Sequence, residues 1–258
     1  MSPVGWLEAD WAAPRGVRAG VTTRAGGVST GPFATLNLAA HVGDDPAAVA
    51  TNRARLTAAL ALPAEPLWLR QMHGAAVVVH DGVRRDPAAD AAVTFAPGRV
   101  LAVLTADCLP VVIASRDGAR LGLAHAGWRG LAAGVIEATV REMGVAGAEL
   151  VAWLGPGIGP AAFEVGAEVR EAFTARDPAA AEAFTANSRG RWQADLYRLA
   201  QLRLAALGVR SVSGGRSCTF ADAERYFSYR RNATTGRMAT LAWLAASAEG
   251  TAGGTVRA

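Results

Sequence analysis

A layered, mixed α/β fold is the expectation for this 258-residue chain, and three observations carry it. Apolar runs of strand length cluster at 100–105, 109–115 and 120–124, with Asp117-Gly118 as a turn between the last two. Helical and strand segments alternate without the regular spacing of repeated βαβ units, so a doubly wound dinucleotide fold is not expected. No internal repeat or convincing linker divides the chain, and its length is enough for a sizeable core. The expectation is one α/β domain over 1–245, a layered mixed-sheet sandwich, with a disordered tail over 246–258.

The elements follow in order. Residues 17–23 alternate as a strand and run into the glycine-bearing loop 23–29. Residues 44–62 read as a helix, with Asp45 as N-cap ahead of Pro46 in the first turn. Strands are expected at 66–72 and 75–80, on either side of a His73-Gly74 turn, and then at the three central runs. The clearest helix covers 130–143. A strand at 149–154 ends in Gly155-Pro156-Gly157-Ile158-Gly159-Pro160, which cannot be regular structure. Helices are expected at 165–175, 178–186 and 194–207, and strands at 209–213 and 238–244. Residues 246–258 are small and polar, as in a frayed terminus.

Composition removes several function classes. The net charge is +4, and all 26 basic residues are arginine. They are spread along the chain rather than clustered among aromatic residues, so no nucleic-acid partner is expected. Without lysine there is no Schiff base and no phosphate-loop lysine, and anions must be held by arginine or by backbone N–H groups. No apolar run reaches the roughly 18 to 20 residues of a membrane span. The N-terminus lacks the basic and apolar segments of a signal peptide. Two distant cysteines make no disulfide scaffold, so a cytoplasmic location is expected.

The chemistry concentrates in three short motifs: Gln71-Met72-His73-Gly74, Thr105-Ala106-Asp107-Cys108-Leu109-Pro110 and His125-Ala126-Gly127-Trp128-Arg129-Gly130. Each lies at an expected strand end. Two imidazoles and a thiolate leave zinc one open tetrahedral position, the catalytic rather than the structural arrangement. The same residues permit a metal-free reading, with Cys108 as nucleophile, His125 as its base and Asp107 assisting. The helix start after His125, with Arg129 beside it, can hold an anion. His41 lies in a loop and is either near the site or structural. His80 reads as a surface turn residue without a role. Cys218 is not expected to be a ligand. Arg230, Arg231 and Arg237 are either substrate contacts or solvated surface.

Taken together, these segments resemble the YfiH family, which includes the macrophage laccase-domain protein and carries older polyphenol oxidase and multicopper oxidase labels. The resemblance rests on the three motifs above. It rests also on Thr23-Arg24-Ala25-Gly26-Gly27-Val28-Ser29, Leu36-Asn37-Leu38, His41-Val42-Gly43-Asp44-Asp45, Asn52-Arg53, Leu154-Gly155-Pro156-Gly157-Ile158-Gly159, Phe163-Glu164-Val165-Gly166, Ser228-Tyr229-Arg230-Arg231 and Thr235-Gly236-Arg237. They run in order from about residue 20 to residue 244. The resemblance implies a fold related to that of Cys–His toxin deamidases and a zinc bound by His73, Cys108 and His125. It implies phosphorolysis of adenosine, inosine and methylthioadenosine, and adenosine deamination. An alternative is amide hydrolysis on peptidoglycan precursors. For these reactions Asp107 is the candidate proton shuttle, and Cys108 and Arg129 are further catalytic candidates. Arg24, Asn37 and Arg129 are the candidates for holding phosphate or substrate. A multicopper oxidase needs on the order of ten imidazoles against four histidines here, so zinc is expected before copper. The expected partners are a purine nucleoside and phosphate, acting on a monomer or homodimer.

Overall fold

Alternate residues of the central strands face different cores, which is what a strand buried on both sides requires. Val111 and Ile113 join one apolar cluster while Val112 and Ala114 join another. The computed structural model describes residues 3–83 and 85–246. In chain order its elements open with β1 (Trp6–Glu8), β2 (Val17–Thr22) and α1 (Pro46–Ala59). Next come β3 (Val77–Val79), β4 (Ala91–Thr94), β5 (Val100–Thr105), β6 (Leu109–Ser115) and β7 (Leu121–Ala126). Then follow α2 (Trp128–Ala133), α3 (Val135–Met143), β8 (Leu150–Leu154), β9 (Glu164–Val165) and α4 (Ala167–Thr174). The chain continues through β10 (Phe184–Ala186), β11 (Trp192–Ala194), α5 (Leu196–Ala206), β12 (Ser211–Gly214) and β13 (Met238–Leu244).

Two sheets pack face to face. One is antiparallel, in the order β1-β2-β13-β5. The other is mixed, in the order β12-β8-β6-β7-β4-β3, with parallel pairs at both edges. Leu101, Val103 and Ala242 of the first meet Val112, Leu123 and Val151 of the second across the inner core. The outer face of the first sheet is covered by Leu36, Leu38 and Leu56, the last from α1. The outer face of the second is covered by α3, α4 and α5, through residues such as Ile136, Phe173 and Leu204. Gly122 of β7 lets α3 settle directly on the sheet, since a Cβ there would stand 2.7 Å from Thr139 Cγ2. A small sheet, β10-β11-β9, flanks this layer.

Several sequence expectations need correction. The helix expected at 130–143 is two helices, α2 and α3, separated at Gly134, whose φ of +94° ends the first. The helix expected at 178–186 is a 3-10 turn, Pro178–Ala183, followed by β10. The strand expected at 66–72 is not formed; among the described residues the segment pairs through single bridges at Leu67 and Arg70. Strands β1, β4, β9, β10 and β11 were not expected; most are too short to show a period of two. The helix start at Asp45 holds, its side chain accepting from Ala47 N at 3.0 Å. The tail expected over 246–258 lies, beyond Ala246, outside the described residues.

Candidate metal centre

Strand register assembles the site. Strands β6 and β7 pair Leu109 with Ala126 and Pro110 with His125, so one step further Cys108 stands beside Gly127. Strands β4 and β7 pair Ala91 with Ala124, so Asp90 stands beside His125, whose N–H donates to the Asp90 carbonyl at 2.7 Å. Three neighbouring strand ends therefore present Asp90, His125 and Cys108 at one edge of the sheet. His73 reaches the same edge from the turn before β3. The ligand atoms of His73, Cys108 and His125 all lie within 4.8 Å of one another. The two imidazole rings stand 4.8 Å apart at 73°. This donor set and spacing fit a divalent metal with soft and borderline ligands.

Asp90 is the residue that sequence reading missed. It is fully buried. Its Oδ1 accepts from His73 N at 2.8 Å and bonds His125 Nδ1 at 2.9 Å, while Oδ2 accepts from Gly74 N at 2.7 Å and Met72 N at 3.1 Å. One carboxylate thus folds the His73 turn and orients His125, leaving Nε2 of that ring for the site. A carboxylate behind a ligating imidazole is the common means of fixing tautomer and ring orientation. The sequence signal was a lone aspartate leading the apolar run Ala91–Thr94. His73 itself sits at φ +59°, a left-handed backbone that the Asp90 bonds hold in place.

Cys108 and His125 shift each other's protonation. Burial pushes the Cys108 thiol up, but the charge of His125 and hydrogen bonds from both imidazoles outweigh it, holding Cys108 down to about 6. Burial pushes His125 down, and the Cys108 thiolate together with Asp90 outweighs that, raising it to about 9. Without metal, both shifts favour a thiolate–imidazolium pair. A lowered thiol pKa means the thiolate persists above about 6 and is lost below it. Thiolate absorbance near 240 nm in metal-free protein is therefore expected to fall as the pH is lowered through about 6. In His125→Ala that midpoint should move upward; an unchanged midpoint would remove His125 as the cause.

Gly127 sets how closely the thiolate can lie. A Cβ there would be 2.7 Å from Cys108 Sγ and 3.5 Å from His73 Cδ2. Its φ of −61° suits any residue, so only space demands glycine. Gly127→Ala is expected to weaken metal binding by about tenfold or more, in line with the loss on disturbing a ligand's support. The fold should survive. Metal titration against a colorimetric chelator, with circular dichroism beside it, checks both.

The three ligand residues open into a cavity of about 450 Å³. Its wall carries Arg129, Arg230 and Arg237 together with Trp128, Phe163 and Tyr229. Arg129 lies over Trp128, Arg230 over Phe163 and Arg237 near Tyr229, with guanidinium carbons 4.4, 5.3 and 5.9 Å from the ring centres. Burial lowers the Arg237 pKa, and the nearby Cys108 and Asp107 partly offset this. His41 also lines the cavity.

Asp107 lines it too, but its carboxylate is engaged. Oδ1 accepts from Thr219 Oγ1 at 2.7 Å, and Oδ2 from Ser228 Oγ at 3.0 Å and Arg230 N at 2.7 Å. Its φ of +103° is strained for a residue with a side chain, and these three bonds hold it there. Asp107 thereby ties the loop bearing Tyr229 and Arg230 to the loop bearing Cys108. Arg24 and Asn37 are not among the residues lining the cavity. Arg24 donates to the carbonyls of Ala34 and Ala223 and lies over Phe227. Asn37 is fully buried and accepts from Arg237 N at 2.9 Å, a support behind the wall. His80, read as a surface turn residue, is buried. Cys218 Sγ accepts from Gly159 N and is not among the converging ligands.

The chain matches the family described as multi-copper polyphenol oxidoreductase laccase over residues 18–245. It belongs to that family. Purine nucleoside phosphorylase PA4543 of Pseudomonas aeruginosa is 56% identical over 240 residues, covering 93% of this chain and 98% of that protein. Purine nucleoside phosphorylase YfiH of Escherichia coli is 51% identical over 235 residues, covering 91% and 96%. The crystal structure of Neisseria meningitidis protein NMB0706 superposes with a TM-score of 0.91 at 46% identity, covering 94% of this chain and all of that one. The resemblance to YfiH read from the motifs is borne out, as is the layered α/β fold. Among the described residues no helix is long and apolar enough to cross a membrane.

Proposed function

We propose that this protein is a zinc-dependent purine nucleoside phosphorylase acting on adenosine, inosine and methylthioadenosine. The observation that carries the reading is one cavity joining a three-ligand metal site, three arginines and three aromatic rings. Phosphorolysis can use each of those parts. The arginines, of which Arg129 and Arg230 are exposed, hold phosphate through charge-assisted paired bonds. The rings of Tyr229, Phe163 and Trp128 offer stacking surface for a purine. A phosphate oxygen attacks the sugar C1′ as the bond from C1′ to the base nitrogen breaks, and the base nitrogen takes up the proton that the phosphate loses. Zinc, when bound by His73, Cys108 and His125, supplies a Lewis acid at its open position. Four histidines, two of them in the cluster, argue for one zinc rather than a set of copper centres.

Adenosine deamination shares the cavity as a second and slower reaction. Asp107 is the one carboxylate among the lining residues, and its three hydrogen bonds make it a poor proton carrier. Incubating the protein with adenosine and phosphate should therefore yield adenine faster than inosine. No turnover in protein shown to contain zinc would end the nucleoside reading, and a dominant inosine product would reverse the order of the two reactions. Arg129→Ala is expected to raise the KM for phosphate by about tenfold, a loss of roughly 1.4 kcal/mol. The KM for nucleoside should change little. Steady-state kinetics with each substrate varied in turn tests that division.

A further inference from the structure

A second and larger cavity, of about 860 Å³, adjoins the metal cavity, sharing His41, Gln71 and Leu104 in its wall. Arg53, Arg70, Arg85 and Arg99 line it, against two carboxylates, Glu65 and Asp86. Elsewhere on this protein exposed arginines pair with acids, as Arg18 does with Glu8, Arg198 with Glu182 and Arg225 with Asp222. Among the described residues none of the four cavity arginines closes an ion pair. Glu65 is occupied in part by Trp68, whose Nε1 donates to it at 2.7 Å.

The arginines are also positioned. Arg53 lies over Trp68, its guanidinium carbon 4.0 Å from the ring centre, and donates from Nε to the Leu38 carbonyl at 3.0 Å. Arg99 rests on Gly82, where a Cβ would stand 2.3 Å from its guanidinium carbon. The buried His80 forms part of the wall, and its Nε2 has no hydrogen-bond partner among the described residues. A concave wall carrying an excess of one charge concentrates counter-ions, and planar guanidinium forks match phosphoryl oxygens in pairs.

We infer that this cavity is a second anion site, taking a small molecule that carries a phosphoryl group, beside and separate from the metal cavity. It holds whether or not the metal cavity processes nucleosides. The bound species is either a free phosphate compound or a phosphorylated nucleoside, and both use the same arginines.

Titration calorimetry at about 50 mM salt, where charged contacts are weakly screened, tests this on the full chain. The probes are pyrophosphate and, separately, adenosine 5′-monophosphate, added to the unaltered protein and to Arg129→Ala, which removes an anion-binding arginine of the metal cavity. At least one probe should bind, with equal affinity in both proteins. Equal binding of the two probes identifies a free phosphate compound; tighter binding of the monophosphate identifies a phosphorylated nucleoside. The paired change Arg70→Glu/Arg99→Glu should weaken binding by at least about tenfold. If that pair misfolds, the single changes Arg70→Ala and Arg99→Ala should each weaken binding by a few-fold. Absence of binding, affinity indifferent to Arg70 and Arg99, or loss of binding in Arg129→Ala would overturn the inference. Failure of the nucleoside reading shows separately, as zinc-loaded protein that binds the anion and leaves adenosine unchanged.

Discussion

Cys108→Ala is expected to lower kcat/KM for adenosine phosphorolysis by about 10³-fold or more, equivalent to roughly 4 kcal/mol of transition-state stabilisation. The thiolate is one of three ligand atoms within 4.8 Å, and alanine leaves two imidazoles, too few to hold zinc firmly. Metal content, measured by elemental analysis after gel filtration, should fall with activity. The outcome also separates the metal reading from that of a cysteine nucleophile. Prolonged chelation should silence the unaltered protein, and zinc should restore it. Activity that survives complete metal removal but not Cys108→Ala would favour the nucleophile. Zinc content unchanged by Cys108→Ala would remove this residue from the ligand set.

Asp90→Ala carries the second large effect, and it acts on stability as well as on metal. The change strips acceptors from three backbone N–H groups and from His125 Nδ1 at a fully buried position. Unpairing buried groups of this kind costs about 3 kcal/mol or more. Asp90→Asn keeps the shape and one acceptor, so the fold should be closer to intact. Its metal affinity should still fall by about 10- to 100-fold, because His125 loses its charged support. Thermal denaturation and zinc titration of both variants measure the two effects apart. An Asp90→Asn protein with unaltered zinc affinity would reduce Asp90 to a purely structural residue.

Much of the site was legible because its chemistry is carried by rare residues. With four histidines and two cysteines in the chain, the settings of His73, Cys108 and His125 stood out before any geometry was known. Asp90 did not stand out, since one carboxylate among 22 acidic residues has no signature until its neighbours are fixed. Arg24 and Asn37 show the converse, motif residues that do not line the cavity. They sit in recognisable motifs, but those motifs serve packing and hydrogen bonding behind the cavity. Arg230 and Arg237 were undecided between substrate and solvent, and the structure lines the cavity with both.

The sequence by itself determined the central strands, the cap at Asp45 and the three residues capable of holding a metal. Each of those signals is local: an apolar run of strand length, a capping side chain, a rare ligand beside a turn. Tertiary structure decided which strand ends are neighbours and that the apolar runs form two facing sheets. It also decided that Asp90 serves both histidines, and that Asp107 ties two loops together with both its oxygens engaged. Those facts depend on strand register, where a shift of one residue would turn Asp90, His125 and Cys108 away from the shared edge. Register is set by the match of whole buried faces across the sheet, and no single segment contains it.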